Sequence, residues 1–161
     1  MVDQRDAVRL KQLTQQSGWD FVSPWVIVDQ SRIDAFADCT EDHSPIHVDP
    51  RAAAALTGTT RTVAHGMLSL SLLSGLSTAF LDLIEKQSCL NCGFDKVRFL
   101  AMIPEGSRVR GVFRLVEAVE RKAGQWRIRI ESTLDVEGTD QPAVFADWLL
   151  QMEDFAENLA D

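Results

Sequence analysis

The amino-acid sequence predicts a single α+β domain in which an antiparallel β-sheet wraps around one long apolar helix. Three observations predict this class. The second half of the 161-residue chain alternates apolar and polar side chains, the first half carries helix start and stop signals, and an apolar stretch, VAHGMLSLSLLSGLSTAFLDLI at residues 63–84, lies between them. A helix this apolar must be covered on most sides, and the sheet is the element that can cover it.

The elements at the N-terminus are short. Residues 6–18 (DAVRLKQLTQQSG) are typical of an amphipathic helix that ends at Gly18. We expect residues 1–20 to form a helical extension of one domain that spans residues 1–161. The next segment, WVIVDQ at residues 25–30, is predicted to be a strand.

Two helices are predicted before the apolar stretch. Ser31 should open the first, with Asp34 completing a pair that resembles a capping box. This helix must end near Thr40, because the Ser-Pro step that follows disfavours helical geometry at the serine. Asp49 is the expected N-cap of the second helix, PRAAAAL, which has proline at its first position.

Four strand-length segments make up the second half: GFDKVRF, SRVRGVFRLVEAVE, QWRIRIESTLDVEG and PAVFADWLLQM. In the third, apolar side chains alternate with charged and polar ones from Trp126 to Val136, which predicts a strand with one buried face. The connections RKAG and EGTDQP have turn compositions. Such short turns imply antiparallel neighbours, because a parallel crossover needs a dozen or more residues.

Composition narrows the possible functions. The formal net charge of −8 repels a phosphate backbone, so we expect no nucleic-acid partner. The apolar stretch contains four serines and Asp82, which favours a buried helix over a membrane span. The first residues alternate in charge and lack the apolar core of a secretory signal, and the chain has three cysteines, so a cytoplasmic location is expected.

The stretch EDHSPIHVDP, residues 41–50, carries the most chemistry. Asp42 and His47 flank a turn shaped by Pro45, and such a turn can bring a carboxylate and an imidazole together. Held close, the two groups could share a water molecule and move its protons near neutral pH. On spacing alone, an equally good alternative is that Asp42 caps a turn and His47 is a hydrogen-bonded core histidine.

A metal site is not expected. The stretch lacks the His-x-x-x-His spacing of zinc proteases, and Asp49 already serves as a helix cap. Cys89 and Cys92 resemble half of a zinc ribbon without a second pair, and we interpret them as buried, inert thiols.

A second motif, AHGM, opens the apolar helix. The start of a helix exposes unpaired backbone N–H groups, and glycine at position 66 lets a ligand oxygen approach them closely. A thioester oxygen that gains negative charge would be stabilised there. The alternative is that Gly66 only permits tight packing against the sheet.

The two motifs together carry a family resemblance. FADCTEDHSPIHVDPRAAA, followed by TVAHGMLSLSLLSGL, resembles the hydratase motif of the MaoC-like, (R)-specific enoyl-CoA hydratases, and GFDKVRFLAMIPEGSRVRG resembles their NodN-like branch. The likeness runs from residue 25 to the last strand. It implies the hot-dog fold, in which an antiparallel sheet wraps around a central helix. It also implies a homodimer with active sites close to the subunit interface.

The resemblance implies roles for individual residues. Asp42 and His47 match the catalytic pair that activates water, and Gly66 matches the residue whose backbone N–H receives the thioester oxygen. The residues expected to bind substrate are Ser44, His65, Met67 and Ser74.

Three positions qualify this assignment. Ser44 stands where the family motif has asparagine, which puts the substrate range in doubt. Ser74 could instead be a buried serine that bonds the carbonyl group four residues back. His43 has no family role and is interpreted as a solvated turn residue.

The implied activity is the reversible addition of water to a trans-2-enoyl-CoA, giving an (R)-3-hydroxyacyl-CoA, with no cofactor. Two alternatives stay open, a hot-dog acyl-CoA thioesterase and a non-catalytic subunit that binds acyl-CoA. Coenzyme A brings phosphates, so an acidic protein must gather cations locally. The candidate cations are Arg51, Arg61, Lys96 and Arg98.

Overall fold

The computed structural model describes residues 8–13, 19–58 and 60–155. The helices are α1 (Leu10–Leu13), α2 (Gln30–Thr40), α3 (Pro45–Val48), α4 (Pro50–Thr57), α5 (Gly66–Leu76) and α6 (Thr78–Leu81). The strands are β1 (Val8–Arg9), β2 (Asp20–Val22), β3 (Val26–Val28), β4 (Ile84–Glu85), β5 (Ser88–Phe99), β6 (Ser107–Lys122), β7 (Gln125–Val136) and β8 (Val144–Glu153).

A six-stranded antiparallel sheet, in the order β2-β6-β7-β8-β5, forms most of the structure, and β3 also pairs with β6. Every second residue of β7 is buried, from Trp126 to Val136, as the alternating sequence predicts. These buried side chains join the core that contains Leu68, Leu70 and Leu73 of α5. The α+β prediction, a sheet around a central apolar helix, is therefore confirmed.

The central helix is shorter than predicted. It covers eleven residues and is separated from α6 by Ser77, whereas the sequence predicts one helix through most of residues 63–84. The Ser77 hydroxyl donates to the Ser74 carbonyl oxygen, and the Thr78 hydroxyl donates to that of Gly75. Hydroxyl groups that bind nearby carbonyls compete with helical hydrogen bonds, and these two bonds lie where α5 ends and α6 begins. Within residues 8–13, 19–58 and 60–155, we find no helix that is both long and apolar enough to cross a bilayer.

The start of α2 also differs from the prediction. Asp29 is its N-cap, rather than Ser31, and its carboxylate accepts a hydrogen bond from the Arg32 N–H at 2.9 Å. The Ser31 hydroxyl donates to the same carboxylate at 2.8 Å. These two bonds lower the pKa of Asp29. Asp34 accepts from the side chain of Gln30, so it takes no part in a capping box.

The end of α2 and the start of α4 follow the sequence closely, whereas the N-terminal helix does not. The end of α2 at Thr40 is confirmed, and Glu41 follows it in the left-handed region at φ 60°. Asp49 caps α4 as predicted, by accepting from the Arg51 N–H at 2.8 Å. Of the helix predicted over residues 6–18, the described residues form β1 and the single turn α1, and the remainder, with Gly18, lies outside the described residues.

The cysteine prediction is wrong in part. Strand β5 begins earlier than the predicted GFDKVRF segment and includes both Cys89 and Cys92. Cys89 is half-buried, and burial raises the pKa of its thiol although the charge of Lys86 opposes this. Cys92 is exposed, and it lies where the strand register shifts between Asn91 and Gly93.

Candidate active site

The segment between α2 and α4 places Asp42 and His47 side by side. A turn follows α2, and the Ser44 N–H points to the Asp42 Oδ1 atom at 3.3 Å. Ser44 then becomes the N-cap of α3, with Pro45 at the first helical position. The backbone N–H of His47 donates to the Ser44 carbonyl oxygen at 2.9 Å. The predicted turn is thus a short helix that presents the imidazole.

His47 is buried, and one hydrogen bond determines its tautomer. Its Nδ1 atom lies 2.6 Å from the carbonyl oxygen of Val63. A carbonyl oxygen can only accept, so Nδ1 carries the proton and Nε2 keeps a free lone pair. The imidazole can therefore accept a proton at Nε2, which is what a general base requires.

His65 lies directly against His47. The two imidazole rings stack with their centroids 3.7 Å apart and an interplanar angle of 27°. The Nε2 atom of His65 lies 2.9 Å from the backbone carbonyl oxygen of Asp42, and by the same reasoning Nε2 carries its proton. The Phe36 ring packs against His65 with its centroid 5.1 Å away.

Potential ligand atoms of Asp42, His47 and His65 all lie within 4.8 Å of one another, which is close enough for them to surround one metal ion. The ring geometry argues against it. An imidazole binds a metal through a lone pair in the plane of its ring, and two nearly parallel stacked rings do not direct their lone pairs to one point. A water molecule shared by Asp42 and His47 needs a lone pair from only one imidazole ring, so the stacking of the two rings does not prevent it.

A cleft of about 560 Å³ is lined by His47, Gly66 and Ser69, among others, whereas Asp42 is not among its lining residues. Gly66 is the first residue of α5, so its N–H belongs to the helix N-terminus, where backbone donors lack helical partners. A Cβ atom at this position would lie 3.3 Å from the ring of Phe99. Both interpretations of Gly66 are therefore compatible with the structure. Gly66 borders the cleft, where a ligand oxygen could approach its N–H, and it also packs closely against an aromatic ring.

The apolar wall of the cleft was missed in the sequence. It consists of residues 99–103, FLAMI, which are the last residue of β5 and the four residues after it. The side chains of Phe99, Leu100 and Met102 are all about half exposed, while Ile103 is buried. The signal that could have revealed it is a run of five apolar residues that ends just before Pro104.

The expected substrate-binding residues do not share one cavity. Met67 and Ser74 line a second cavity of about 270 Å³, on a different face of α5, together with Phe94 and Trp148. Ser74 is exposed, so its interpretation as a buried serine is wrong. The half-buried Ser44 borders neither of these two cavities.

His43 and the candidate cations lie at the surface. His43 is exposed, as expected of a turn residue, with its Nε2 atom 3.6 Å from an Asp38 carboxylate oxygen. The four cations are exposed as well. Arg61 donates to the Glu105 carbonyl oxygen, and the Lys96 ammonium lies 5.4 Å from the centroid of the Phe145 ring.

Comparison with known proteins places the chain in a family. The model of the MaoC like domain matches residues 13–137. Nodulation protein N of Rhizobium leguminosarum bv. viciae is 44% identical over 128 residues, which are 79% of this chain and 80% of that protein. The 3-hydroxyacyl-thioester dehydratase Z of Mycobacterium tuberculosis (strain ATCC 25618 / H37Rv) is 40% identical over 130 residues, 80% of this chain and 85% of the relative.

A solved structure supports the fold. The (R)-hydratase from A. caviae superimposes with a TM-score of 0.70 at 24% identity, covering 84% of this chain and 95% of that one. At this identity the likeness concerns the fold, which is the hot-dog fold that the sequence implied. The family match covers well over half of the chain, and the curated relatives exceed 30% identity over most of its length. The chain therefore belongs to the MaoC-like dehydratase family.

Proposed function

We propose that this protein is an enoyl-CoA hydratase that adds water reversibly to trans-2-enoyl-CoA thioesters and forms (R)-3-hydroxyacyl-CoA. The observation that carries the proposal is the free Nε2 lone pair of His47, in a residue that lines the same cleft as Gly66 and has a potential ligand atom within 4.8 Å of one on Asp42. A basic nitrogen, a carboxylate and a helix N-terminus are the groups that this reaction needs.

In the proposed reaction the Asp42–His47 pair first takes up a proton and later returns one, while Gly66 binds the thioester oxygen. Asp42 and His47 hold one water molecule, and the pair takes a proton from it as the water oxygen bonds C3 of the substrate. The electrons of the double bond move toward the thioester oxygen, which accepts a hydrogen bond from the N–H of Gly66. The pair then gives a proton to C2, so that water has been added and both groups return to their starting state.

The substrate class is supported by a relative. The 40% identical mycobacterial protein bears the name 3-hydroxyacyl-thioester dehydratase Z, and dehydration of a 3-hydroxyacyl thioester is the reverse of the proposed reaction. We further propose that the thioester carrier is coenzyme A. Its phosphates would bind exposed cations from the set Arg51, Arg61, Lys96 and Arg98.

No organic cofactor is needed, and we place the reaction in the cytoplasm.

We also propose that the protein acts as a homodimer. Strand β5 is at the end of the described sheet order, so its outer edge is available for pairing. Leu90 on this strand and Phe99, Leu100 and Met102 at its end are large apolar side chains with about half their surface exposed. A second copy would cover them beside the cleft. Light scattering should give twice the chain mass, and Leu90→Lys should shift the protein toward the monomer.

The activity is tested by following the enoyl absorbance of crotonyl-CoA and longer homologues. Wild-type protein should consume the substrate, and Asp42→Asn or His47→Ala should reduce kcat by at least about 10²-fold. His43→Ala is the matched control, since His43 is an exposed histidine of the same loop, and it should retain wild-type activity. Full activity in both Asp42 and His47 variants would contradict the proposal.

The same samples separate the two alternatives. A thioesterase would release free coenzyme A thiol, which a thiol reagent detects, while the enoyl absorbance would be lost without a hydroxyacyl product. A non-catalytic subunit would bind acyl-CoA without turnover. The formation of (R)-3-hydroxyacyl-CoA with no thiol release is the result expected here.

A further inference from the structure

We propose that His65 is a positioning residue that holds the catalytic pair and the helix start at Gly66 in one fixed arrangement. The inference rests on the proposed hydratase function, but it concerns a residue that borders neither of the two cavities described above. His65 is 2% exposed and contacts or adjoins all three groups on which the reaction depends.

The first contact holds Asp42. The carboxylate of Asp42 lies on an exposed loop between α2 and α3, where main-chain movement would change its distance from His47. The Nε2–H of His65 donates to the main-chain carbonyl oxygen of Asp42 at 2.9 Å. This bond joins residues 23 positions apart and anchors the loop to the buried start of α5.

The second contact holds His47. The side chain of His47 can turn about its Cα–Cβ and Cβ–Cγ bonds, and the bond from Nδ1 to Val63 restrains that rotation at one atom of the ring. The face of His65, with centroids 3.7 Å apart, blocks that rotation. Together the bond and the stacked ring define the direction in which the His47 Nε2 lone pair points.

The third link is covalent. His65 is the N-cap of α5, and its carbonyl oxygen accepts from both the N–H and the hydroxyl of Ser69, each at 3.0 Å. Gly66 is the next residue, so its N–H moves with the backbone of His65. A displacement of the His65 ring would therefore disturb the proposed oxyanion donor as well as the pair.

Histidine suits this position because it supplies one donor in a flat ring. The Nδ1 atom of His65 is buried and has no hydrogen-bond partner among the described residues. A proton placed there would be a buried donor without an acceptor, which is unfavourable. His65 is therefore a single-proton donor through Nε2, and it holds Asp42 without acting as an acid or a base itself.

Four variants test the role. In His65→Phe a flat ring remains and the donor is lost, so kcat on crotonyl-CoA should fall by about 10²-fold, as expected for a displacement of reacting groups by about 1 Å. KM should stay within about threefold, because no substrate contact is removed. His65→Gln places an amide donor near the Nε2 position and should recover more activity than His65→Asn, whose shorter amide cannot reach the carbonyl. Ile33→Val, a fully buried change in α2, controls for lost stability and should keep wild-type kcat.

The outcomes are distinct. Wild-type kcat in His65→Phe, or equal activity of the Gln and Asn variants, would overturn the positioning role. An inactive wild type would instead contradict the proposed function. Imidazole ¹⁵N chemical shifts test the geometry without any variant or activity, since the chain has three histidines and the spectrum is simple to assign. The proposal requires the Nε2–H form of His65 at neutral pH, and the Nδ1–H form would overturn it.

Discussion

The carbonyl oxygen of Val63 lies 2.6 Å from Nδ1 of His47, and this bond leaves Nε2 as the nitrogen of the imidazole that can accept a proton. The backbone strengthens the arrangement, because the Val63 N–H donates to the carbonyl oxygen of Ile46, the neighbour of His47, at 3.1 Å. Val63 is itself buried and lies three residues before Gly66. Val63 and the residues after it therefore join His47 to the start of α5 through one short segment.

The first prediction separates catalysis from stability at His47. In His47→Asn the amide can replace Nδ1 as the donor to Val63, but no basic nitrogen remains. We expect kcat to fall by at least about 10²-fold while the free energy of unfolding stays close to that of wild type. In His47→Gln the amide is placed near Nε2 instead, so activity is lost and the unsatisfied Val63 carbonyl costs about 1–3 kcal/mol. Urea unfolding and crotonyl-CoA kinetics measure both. Equal stability of the two variants would contradict the assigned tautomer.

The second prediction concerns the pH dependence of stability at Asp29. Hydrogen bonds from the Arg32 N–H and the Ser31 hydroxyl lower the pKa of this carboxyl in the folded state. A group with a lowered folded pKa stabilises the protein above its unfolded pKa, and that contribution is lost as the pH falls through the folded value. Asp29→Asn is the matched control, since its amide is uncharged at every pH. The difference in Tm between wild type and Asp29→Asn should be largest near neutral pH and should shrink in acid. If the Tm difference grew in acid instead, the pKa of Asp29 would be raised by folding rather than lowered.

The fold was largely predictable from local patterns. The alternation from Trp126 to Val136 requires a half-buried strand, and short turns require antiparallel neighbours, so both features appear as expected. The errors occur where two local signals compete. Asp29 and Ser31 are both good capping residues, and only the observed bond from Arg32 identifies Asp29 as the cap. Ser77 is likewise one of four serines in the apolar stretch, and nothing in the sequence indicates that the central helix ends beside it rather than beside another.

The candidate site was predictable to a lesser extent. Spacing alone left Asp42 and His47 with two interpretations, and the resemblance favoured the catalytic one. The stacking of His65 on His47 joins residues 18 positions apart in the printed sequence, and no local pattern reports such a contact. The apolar cleft wall at residues 99–103 was unpredictable for the same reason. Phe99 lies close to Gly66 only in the folded structure, because the two residues are far apart in the sequence.

The third prediction compares a buried glycine, Gly111, with an exposed one, Gly75. A Cβ atom at Gly111 would lie 2.5 Å from the fully buried Phe113 ring and 3.2 Å from Cβ of Leu76. Gly111→Ala should therefore lower the free energy of unfolding by about 1–3 kcal/mol, the usual cost of overpacking. At Gly75, in α5, nothing lies within 4 Å of the same position. Gly75→Ala should raise stability by about 0.5–1 kcal/mol through the better helix propensity of alanine. Urea unfolding of both variants measures the contrast, and a loss of similar size in each would contradict it.

The last prediction tests the contact between Gly66 and Phe99. A Cβ atom at Gly66 would lie 3.3 Å from the Phe99 ring, which is half exposed and can move. We expect Gly66→Ala to fold with a stability within about 1 kcal/mol of wild type, because the ring can shift away. The displaced ring would then narrow the cleft beside the proposed oxyanion donor, so kcat/KM on crotonyl-CoA should fall.

A double-mutant cycle identifies the cause of that loss. Phe99→Leu keeps a large apolar side chain in the cleft wall and at the proposed dimer contact, so by itself it should reduce kcat/KM less than Gly66→Ala does. If the loss in Gly66→Ala comes from the ring, adding Phe99→Leu should restore much of kcat/KM, and the two changes will not be additive. Strict additivity would show instead that the alanine methyl group blocks the Gly66 N–H directly. The cycle thus distinguishes a glycine needed for packing against Phe99 from one needed for approach of the thioester oxygen, which are the two interpretations that the sequence left open.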